Sequence, residues 1–479
     1  MLPDEWRSRS RIGARGSHTA LAIMLLVAAC APRIPAQDLA TCPPSLAADA
    51  DVALPLMRSG NRLVDQRGED FQVRGDAAWS LLVQLSVSEA QHYLDERRAQ
   101  GFNTVIVELI EHKFADDPPR NAHGDRPFLV PGDFTRPNPA YFDHAEEILR
   151  AAQERGFVVL LTPAYLGYDG GTEGWYQEMV AAGPDAMRRY GEFIGERYRS
   201  LDNIVWLMGG DYTPPDNGLD LVDALRAGIA ARDDRHLFSA HWGPETTASE
   251  VTVDWLDIDS TYTYEPVYLK SLQDYERRHD LPRIFIEGMY EDGLQEPGQR
   301  DLRAQAYHAM LTGAQGHVYG QWDVWQFDNS WRDGVRRPGA YAMLVLSRLF
   351  GPLAGRQLIP DGGALLRGGQ GEWGSREYAV AATAGRDLAI VYVPSKRTIT
   401  LDLSLFDGPV RARWFDPIDG SWTAAENLPL RPHARTDLPT PGDNAAGDGD
   451  WALVLDTDGA AAPSDASAAC AGADDRTGP

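Results

Sequence analysis

The chain predicts an α/β fold, a (β/α)8 barrel followed by a small antiparallel β-sandwich. Three observations carry that expectation. Eight short apolar runs with strand character alternate with helix-like segments between residues 71 and 325, the pattern of parallel strands joined by crossover helices. No glycine-rich phosphate turn follows the first run, although an open doubly wound sheet would more often show one. After Pro360 the texture changes to short alternating segments separated by turn residues, from "EYAVAATAGRDLAIVYV" to "DWALVLDT", and an antiparallel sandwich reads this way.

At 479 residues the chain has room for several domains, and its composition is that of an ordinary globular protein. It begins with Arg7, Arg9, Arg11 and Arg15, followed by the apolar stretch "ALAIMLLVAAC" and a proline-containing polar segment. This is the layout of an export signal, and the stretch is short for a permanent membrane span. Val27-Ala28-Ala29-Cys30 resembles the bacterial lipobox, whose cysteine becomes the lipidated first residue of the mature protein. The expected division is a lipoprotein-type signal over 1–29, a linker over 30–58, the barrel over 59–358, the sandwich over 359–457 and a disordered Ala/Gly/Asp/Ser tail over 458–479. The expected location is outside the cytoplasm, either held at a bacterial outer membrane by lipid on Cys30 or secreted.

The formal net charge is −25, and losing residues 1–29, with four arginines and two acids, would take it to −27. Such an acidic balance argues against nucleic acid or an anionic membrane surface as partner and leaves the lipid anchor as the expected membrane contact. Cys42 and Cys470 then remain, one in each tail, free or paired with each other. No CxxC and no Cys/His cluster points to a metal, no cofactor is expected, and the chain is expected to act as a monomer.

The strand candidates, in order, are "FQVRGDAAW", "NTVIVELI", "FVVLLTPAY", "NIVWLMGGD", "HLFSAHWG", "WLDIDSTYTY", "RIFIEGMYE" and "GHVYGQWDVW". Each is expected to lead into a helix. The first helix should start with a capping box from Ser86 to Glu89 and stop at Gly101; the second should open at Asn138-Pro139 and stop at Gly156.

Function in a barrel sits where strands end. In chain order those ends carry Asp76 and Trp79, Glu108 and Glu111, Tyr165, Asp211, His241 and Trp242, Asp259, Tyr262 and Tyr264, Glu287 and Tyr290, and Trp322, Asp323 and Trp325. Carboxylates mixed with aromatics on one rim suit a sugar, whose hydroxyls meet acids and whose C–H faces stack on rings. The substrate-binding candidates are Asp76, Trp79, Glu108, Tyr165, His241, Trp242, Tyr262, Tyr290, Trp322 and Trp325, with Trp322 or Trp325 as a stacking wall, and the expected partner is an oligosaccharide or polysaccharide.

Cleaving a glycoside takes one protonated and one ionised carboxyl group across the anomeric carbon. The fourth and seventh strands lie across a barrel, and Asp211 and Glu287 each follow an apolar run, "IVWLMGG" and "RIFI". Such a run holds the acid rigidly and desolvates it, which raises a pKa. Gly209 and Gly210 are read as a tight turn aiming Asp211 into the mouth, or as close packing at the rim.

The segments "GDAAWSLL", "YLDERRAQGFNTVIVE", "NIVWLMGGDYTP", "FIEGMYE" and "GHVYGQWDVW" resemble the apiosidase-like glycoside hydrolases, and "VRARWFDPIDGSW…DWALVLD" resembles the domain that often follows them, labelled as collagen-binding. The resemblance covers residues from about 60 to 457 and implies a retaining glycosidase acting on plant-wall pectic or related oligosaccharides. It implies Asp211 of "GGD" as acid/base and the first glutamate of "ExxYE", Glu287, as nucleophile. Two stretches depart from the family pattern: Ala77 stands where Thr more usually follows the first-strand Asp, and "STYTYEP" has no clear counterpart. An exo-glycosidase of another sugar specificity, a non-catalytic carbohydrate-binding lipoprotein and a matrix adhesin are the alternatives at this stage. Lipidation has its own test: Cys30→Ala should release the protein into the soluble fraction, whereas a wild type already soluble with a different N-terminus would refute the anchor.

Overall fold

The computed structural model describes residues 52–425 and 429–457. The export signal, the lipobox with Cys30, Cys42, Cys470 and the 458–479 tail lie outside the described residues.

The barrel strands are β1 (Val73–Ala77), β2 (Thr104–Glu108), β3 (Val158–Thr162), β4 (Ile204–Gly209), β5 (Phe238–His241), β6 (Asp259–Tyr262), β7 (Arg283–Glu287) and β8 (Gly316–Tyr319). A parallel ladder runs β5-β4-β3-β2-β1-β8-β7-β6, and a two-residue strand, Thr246–Thr247, pairs antiparallel on β6. The runs read as near-continuously apolar because both faces are buried. Ile106, Leu160, Val205, Leu207, Ile284, Ile286 and Val318 fill the interior, while their neighbours Val105, Val107, Val159, Leu161, Trp206 and Met208 pack against the helices.

The longer helices between strands are α1 (Val87–Ala99), α2 (Pro139–Glu154), α3 (Pro184–Tyr198), α4 (Asp216–Ala230), α5 (Val267–Arg277), α6 (Gln299–Leu311) and α7 (Pro338–Phe350). The capping box at Ser86 and Glu89 is present. Asn138 opens α2 without a side-chain cap; its amide donates instead to the Arg126 carbonyl, and Pro139 supplies the first helical turn. Two expectations need correction. The crossover from β5 to β6 has no long helix, only the short strand and one 3₁₀ turn, Ala248–Glu250. At that seam the barrel closes through the Asp257 and Ile258 amides on the Phe238 carbonyl and through the Ser239 hydroxyl on the Ile258 carbonyl. The eighth run also ends earlier as a strand: Trp322–Trp325 is a helical turn capped by the Gln321 side chain, which accepts from the Asp323 and Val324 amides.

A separate hairpin, Met57–Ser59 with Arg62–Val64, precedes the barrel. After the barrel come β9 (Ile359–Pro360), β10 (Leu366–Gly368), β11 (Val380–Ala384), β12 (Leu388–Val393), β13 (Thr398–Asp402), β14 (Val410–Phe415), β15 (Trp422–Ala424), β16 (Arg435–Pro439) and β17 (Trp451–Thr457). They form a six-stranded sheet, β9-β11-β12-β17-β14-β15, facing a three-stranded one, β10-β13-β16. Every pairing is antiparallel. Alternation along the larger sheet sends Ala389, Val391, Leu453 and Leu455 into the sandwich core and Ala382, Ile390, Tyr392 and Val454 against the barrel. There Tyr392 stacks on Tyr307 of α6, with centroids 4.4 Å apart and planes within 10°.

A buried ion pair fastens the same junction. Arg303 of α6 donates Nε to Asp450 Oδ2 and Nη2 to Asp450 Oδ1, each at 2.8 Å, and Tyr392 and Asn444 also donate to Asp450. Removing one partner of such a pair strands a charge away from water. Arg303→Met should therefore cost about 3–5 kcal/mol in chemical denaturation, and a loss under about 1 kcal/mol would contradict this reading.

Candidate active site

Asp211 follows β4 after two glycines, at the C-terminal edge of the barrel. Its own backbone is left-handed, with φ 55°, and Gly209 and Gly210 have φ 92° and 123°. Three successive positive φ values turn the chain off the strand and into the mouth, and strain of this kind persists where surrounding contacts enforce it. Both readings of the glycines hold. A Cβ on Gly209 would meet the His241 carbonyl at 2.4 Å, and one on Gly210 would meet the Tyr165 ring at 2.4 Å.

His241, at the end of β5, joins the two acids. Its Nδ1 accepts the Asp211 backbone N–H at 3.0 Å, and its Nε2 lies 2.7 Å from Glu287 Oε2. Because Nδ1 is an acceptor, the proton sits on Nε2, so a neutral imidazole donates to Glu287. A second path runs through phenols. Tyr262 donates to Asp211 Oδ1 at 2.9 Å, the Tyr262 and Tyr264 hydroxyls are 2.9 Å apart, and Tyr264 lies 3.4 Å from Glu287 Oε1. Tyr165 donates to Asp211 Oδ2 at 3.2 Å.

Burial raises the Asp211 pKa, and the Glu287 charge adds to the rise; hydrogen bonds from the Tyr262 and Tyr165 hydroxyls pull the other way, and the balance is about 7. Asp211 nonetheless keeps part of its surface accessible to solvent, as a group that must meet a substrate requires. Burial, followed by the nearby carboxylates, holds the phenols of Tyr165, Tyr262 and Tyr264 well above their ordinary range, so each stays a donor.

Around this pair the structure gathers most of the candidate residues. Trp79 donates its indole N–H to the Tyr290 hydroxyl at 3.1 Å, and its ring lies edge-on to His241 at 5.4 Å. Glu108 lies on the interior side of β2. It is buried, and one carboxyl oxygen has no hydrogen-bond partner. Burial, with Glu111 nearby, pushes its pKa well up. Trp322 reaches Tyr290 at 6.5 Å, and Trp325 packs edge-on against Phe114 at 4.7 Å, both half-buried.

Two candidates lie elsewhere. Asp76 points to the helix side of β1, where Arg97 donates Nε to it at 2.6 Å and Tyr93 also donates. Trp242, one residue past His241, turns outward into the core around the barrel and donates to the Ala248 carbonyl. Tyr264 stood on the predicted rim but outside the predicted binding set. The spacing Tyr262-x-Tyr264 was its signal, since alternate residues of a strand share a side. Glu245, which accepts from the Tyr264 amide at 2.8 Å and from Thr263, had no sequence signal.

Solved structures share this fold. One described as "Glycoside hydrolase" superposes with TM-score 0.74 at 22% identity, covering 85% of this chain and 97% of its own. A glycoside hydrolase family 5 structure from Bacteroides vulgatus ATCC 8482 gives TM-score 0.74 at 24% identity, with 85% and 95% covered. A third, a "putative glycoside hydrolase" from the same organism, gives 0.62 at 18%, with 85% and 83% covered. No curated protein matches the chain. Residues 359–456 match the domain described as "Putative collagen-binding domain of a collagenase". Residues 58–354, more than half of the chain, match the domain described as "Apiosidase-like, catalytic domain", and the protein belongs to that glycoside hydrolase family.

Proposed function

We propose that the protein hydrolyses O-glycosidic bonds with retention of anomeric configuration, with Asp211 as acid/base and Glu287 as nucleophile, on plant-wall pectic or related oligosaccharides. One observation carries the assignment of roles: two carboxyl groups face one mouth and share His241 and the Tyr262–Tyr264 pair, and one of them, Asp211, has its pKa raised to about 7. The pectic substrate class rests on the family resemblance alone.

In the first step a Glu287 oxygen attacks the anomeric carbon, the C–O bond to the leaving group breaks, and the Asp211 proton passes to the departing oxygen. The His241 N–H holds Glu287 Oε2 at 2.7 Å and so orients the carboxylate for attack. Once Glu287 is esterified its charge is gone, and with it one of the two influences raising the Asp211 pKa. Asp211 then becomes the base that takes a proton from water, its carboxylate stabilised by the Tyr165 and Tyr262 hydroxyls. Water attacks the same carbon and frees Glu287. Retention by this route needs the carboxyl groups about 5–5.5 Å apart.

A panel of aryl glycosides and plant-wall oligosaccharides tests the activity, and the pair should then separate by role. Because step one uses protonated Asp211, activity on natural glycosides should fall as pH rises through about 7. In Asp211→Ala that limb should vanish and natural substrates should slow by about 10² to 10⁴-fold, with the first step spared for aryl leaving groups. Glu287→Ala should be inactive on both. Azide should rescue Asp211→Ala with retained and Glu287→Ala with inverted configuration. Inverted wild-type products, or full activity in both variants, would refute the assignment.

A further inference from the structure

The loops of the barrel do not form its rim alone. Residues 369–378, between β10 and β11 of the sandwich, reach across to the end of β6. Arg376 Nη2 donates to the Tyr264 carbonyl at 3.1 Å, and the Gly374 amide donates to the Tyr268 hydroxyl at 2.6 Å. Tyr378 stacks on Tyr268, with centroids 4.9 Å apart and planes within 19°, and its carbonyl pairs with His308 Nε2 at 3.0 Å. Glu377 takes an ion pair from Arg300 at 3.0 Å. Tyr264 is the residue whose hydroxyl faces Glu287, and Tyr268 is in the first turn of α5, which starts at the C-terminal end of the barrel. The segment is therefore bound to the catalytic face.

Trp373 stands on this segment, 60% exposed, more than any other large hydrophobic side chain among the described residues. Its ring is nearly perpendicular to those of Tyr268 and Tyr378, with each centroid 5.1 Å away. A lone exposed hydrophobic residue is ordinary. A tryptophan fixed by two tyrosines, on a loop pinned to the Tyr264 carbonyl, is oriented without being covered. An indole presented in this way matches the apolar C–H face of a pyranose or furanose ring.

We infer that Trp373 is a stacking platform for a sugar ring of the substrate beyond the cleaved linkage, so that the sandwich domain completes the substrate site. This rests on the glycosidase reading above. It requires that wild-type kcat/KM rise with chain length on a series of oligosaccharides of an accepted substrate, and that Trp373→Ala lose that rise. The expected loss is about tenfold on the longest members, through KM with kcat little changed, and shrinks as the chain shortens. Trp373→Phe should recover most of it, and the melting temperature of both variants should stay near wild type.

If wild type cleaves nothing, the enzymatic reading fails and takes this inference with it. If wild type is active but shows no gain with length, or Trp373→Ala matches it on long chains, the inference alone is wrong. A kcat loss of equal size on every substrate, with a lowered melting temperature, would instead make Trp373 a structural part of the rim.

Discussion

Two carboxyl groups share one recessed mouth, and the cost of holding both charged there is the constraint on which the site depends. Glu287 is stabilised by a neutral imidazole whose tautomer is fixed from behind by the Asp211 amide. Asp211 instead retains a proton to about pH 7, through burial first and the Glu287 charge second. The turn that aims Asp211, with three positive φ values in succession, also delivers the N–H that sets His241. Backbone geometry and protonation are thus linked through one histidine. A change in the Gly209–Gly210 turn would disturb both acids, although only one lies on it.

The barrel supplies rigidity for this, and the sandwich extends it. The outer face of the larger sheet is continuous with the core around the barrel, and the buried Arg303–Asp450 pair crosses the junction. The contacts of residues 369–378 reach α6 through His308 and Arg300 and the β6 loop through Tyr264. A domain joined through hydrophobic core and a buried ion pair differs from a module on a flexible linker, and that attachment holds residues 369–378 against the β6 loop.

Much of this was legible in the sequence because parallel strands buried on both faces leave strong apolar runs. The strand ends then name their own residues: Asp211, Glu287, Tyr165, Tyr262 and Trp79 were all found this way. Side was harder to read than position. Asp76 and Trp242 end their strands as expected but point to the helix side, and nothing in a run apolar on both faces marks which parity faces inward. The "WDVW" stretch reads as strand by its aromatic content, but Gln321 caps it as a helical turn. The fifth crossover looked like another strand-helix unit, but it crosses with one 3₁₀ turn and closes the barrel through Ser239. Trp373 lies in "GGQGEWGSREY", which has no periodicity, and its place beside Tyr268 comes from tertiary packing that no local pattern encodes.

The central claim is electrostatic and can be measured directly. Carbon NMR of protein labelled at the aspartate carboxyl carbons, titrated in wild type and in Glu287→Gln, reports the Asp211 pKa and its dependence on the nucleophile's charge. The account predicts a wild-type titration near pH 7 that moves down in Glu287→Gln yet stays above the ordinary aspartate range, because burial remains. An Asp211 that titrates in the ordinary range in wild type, or does not respond to loss of the Glu287 charge, would contradict it.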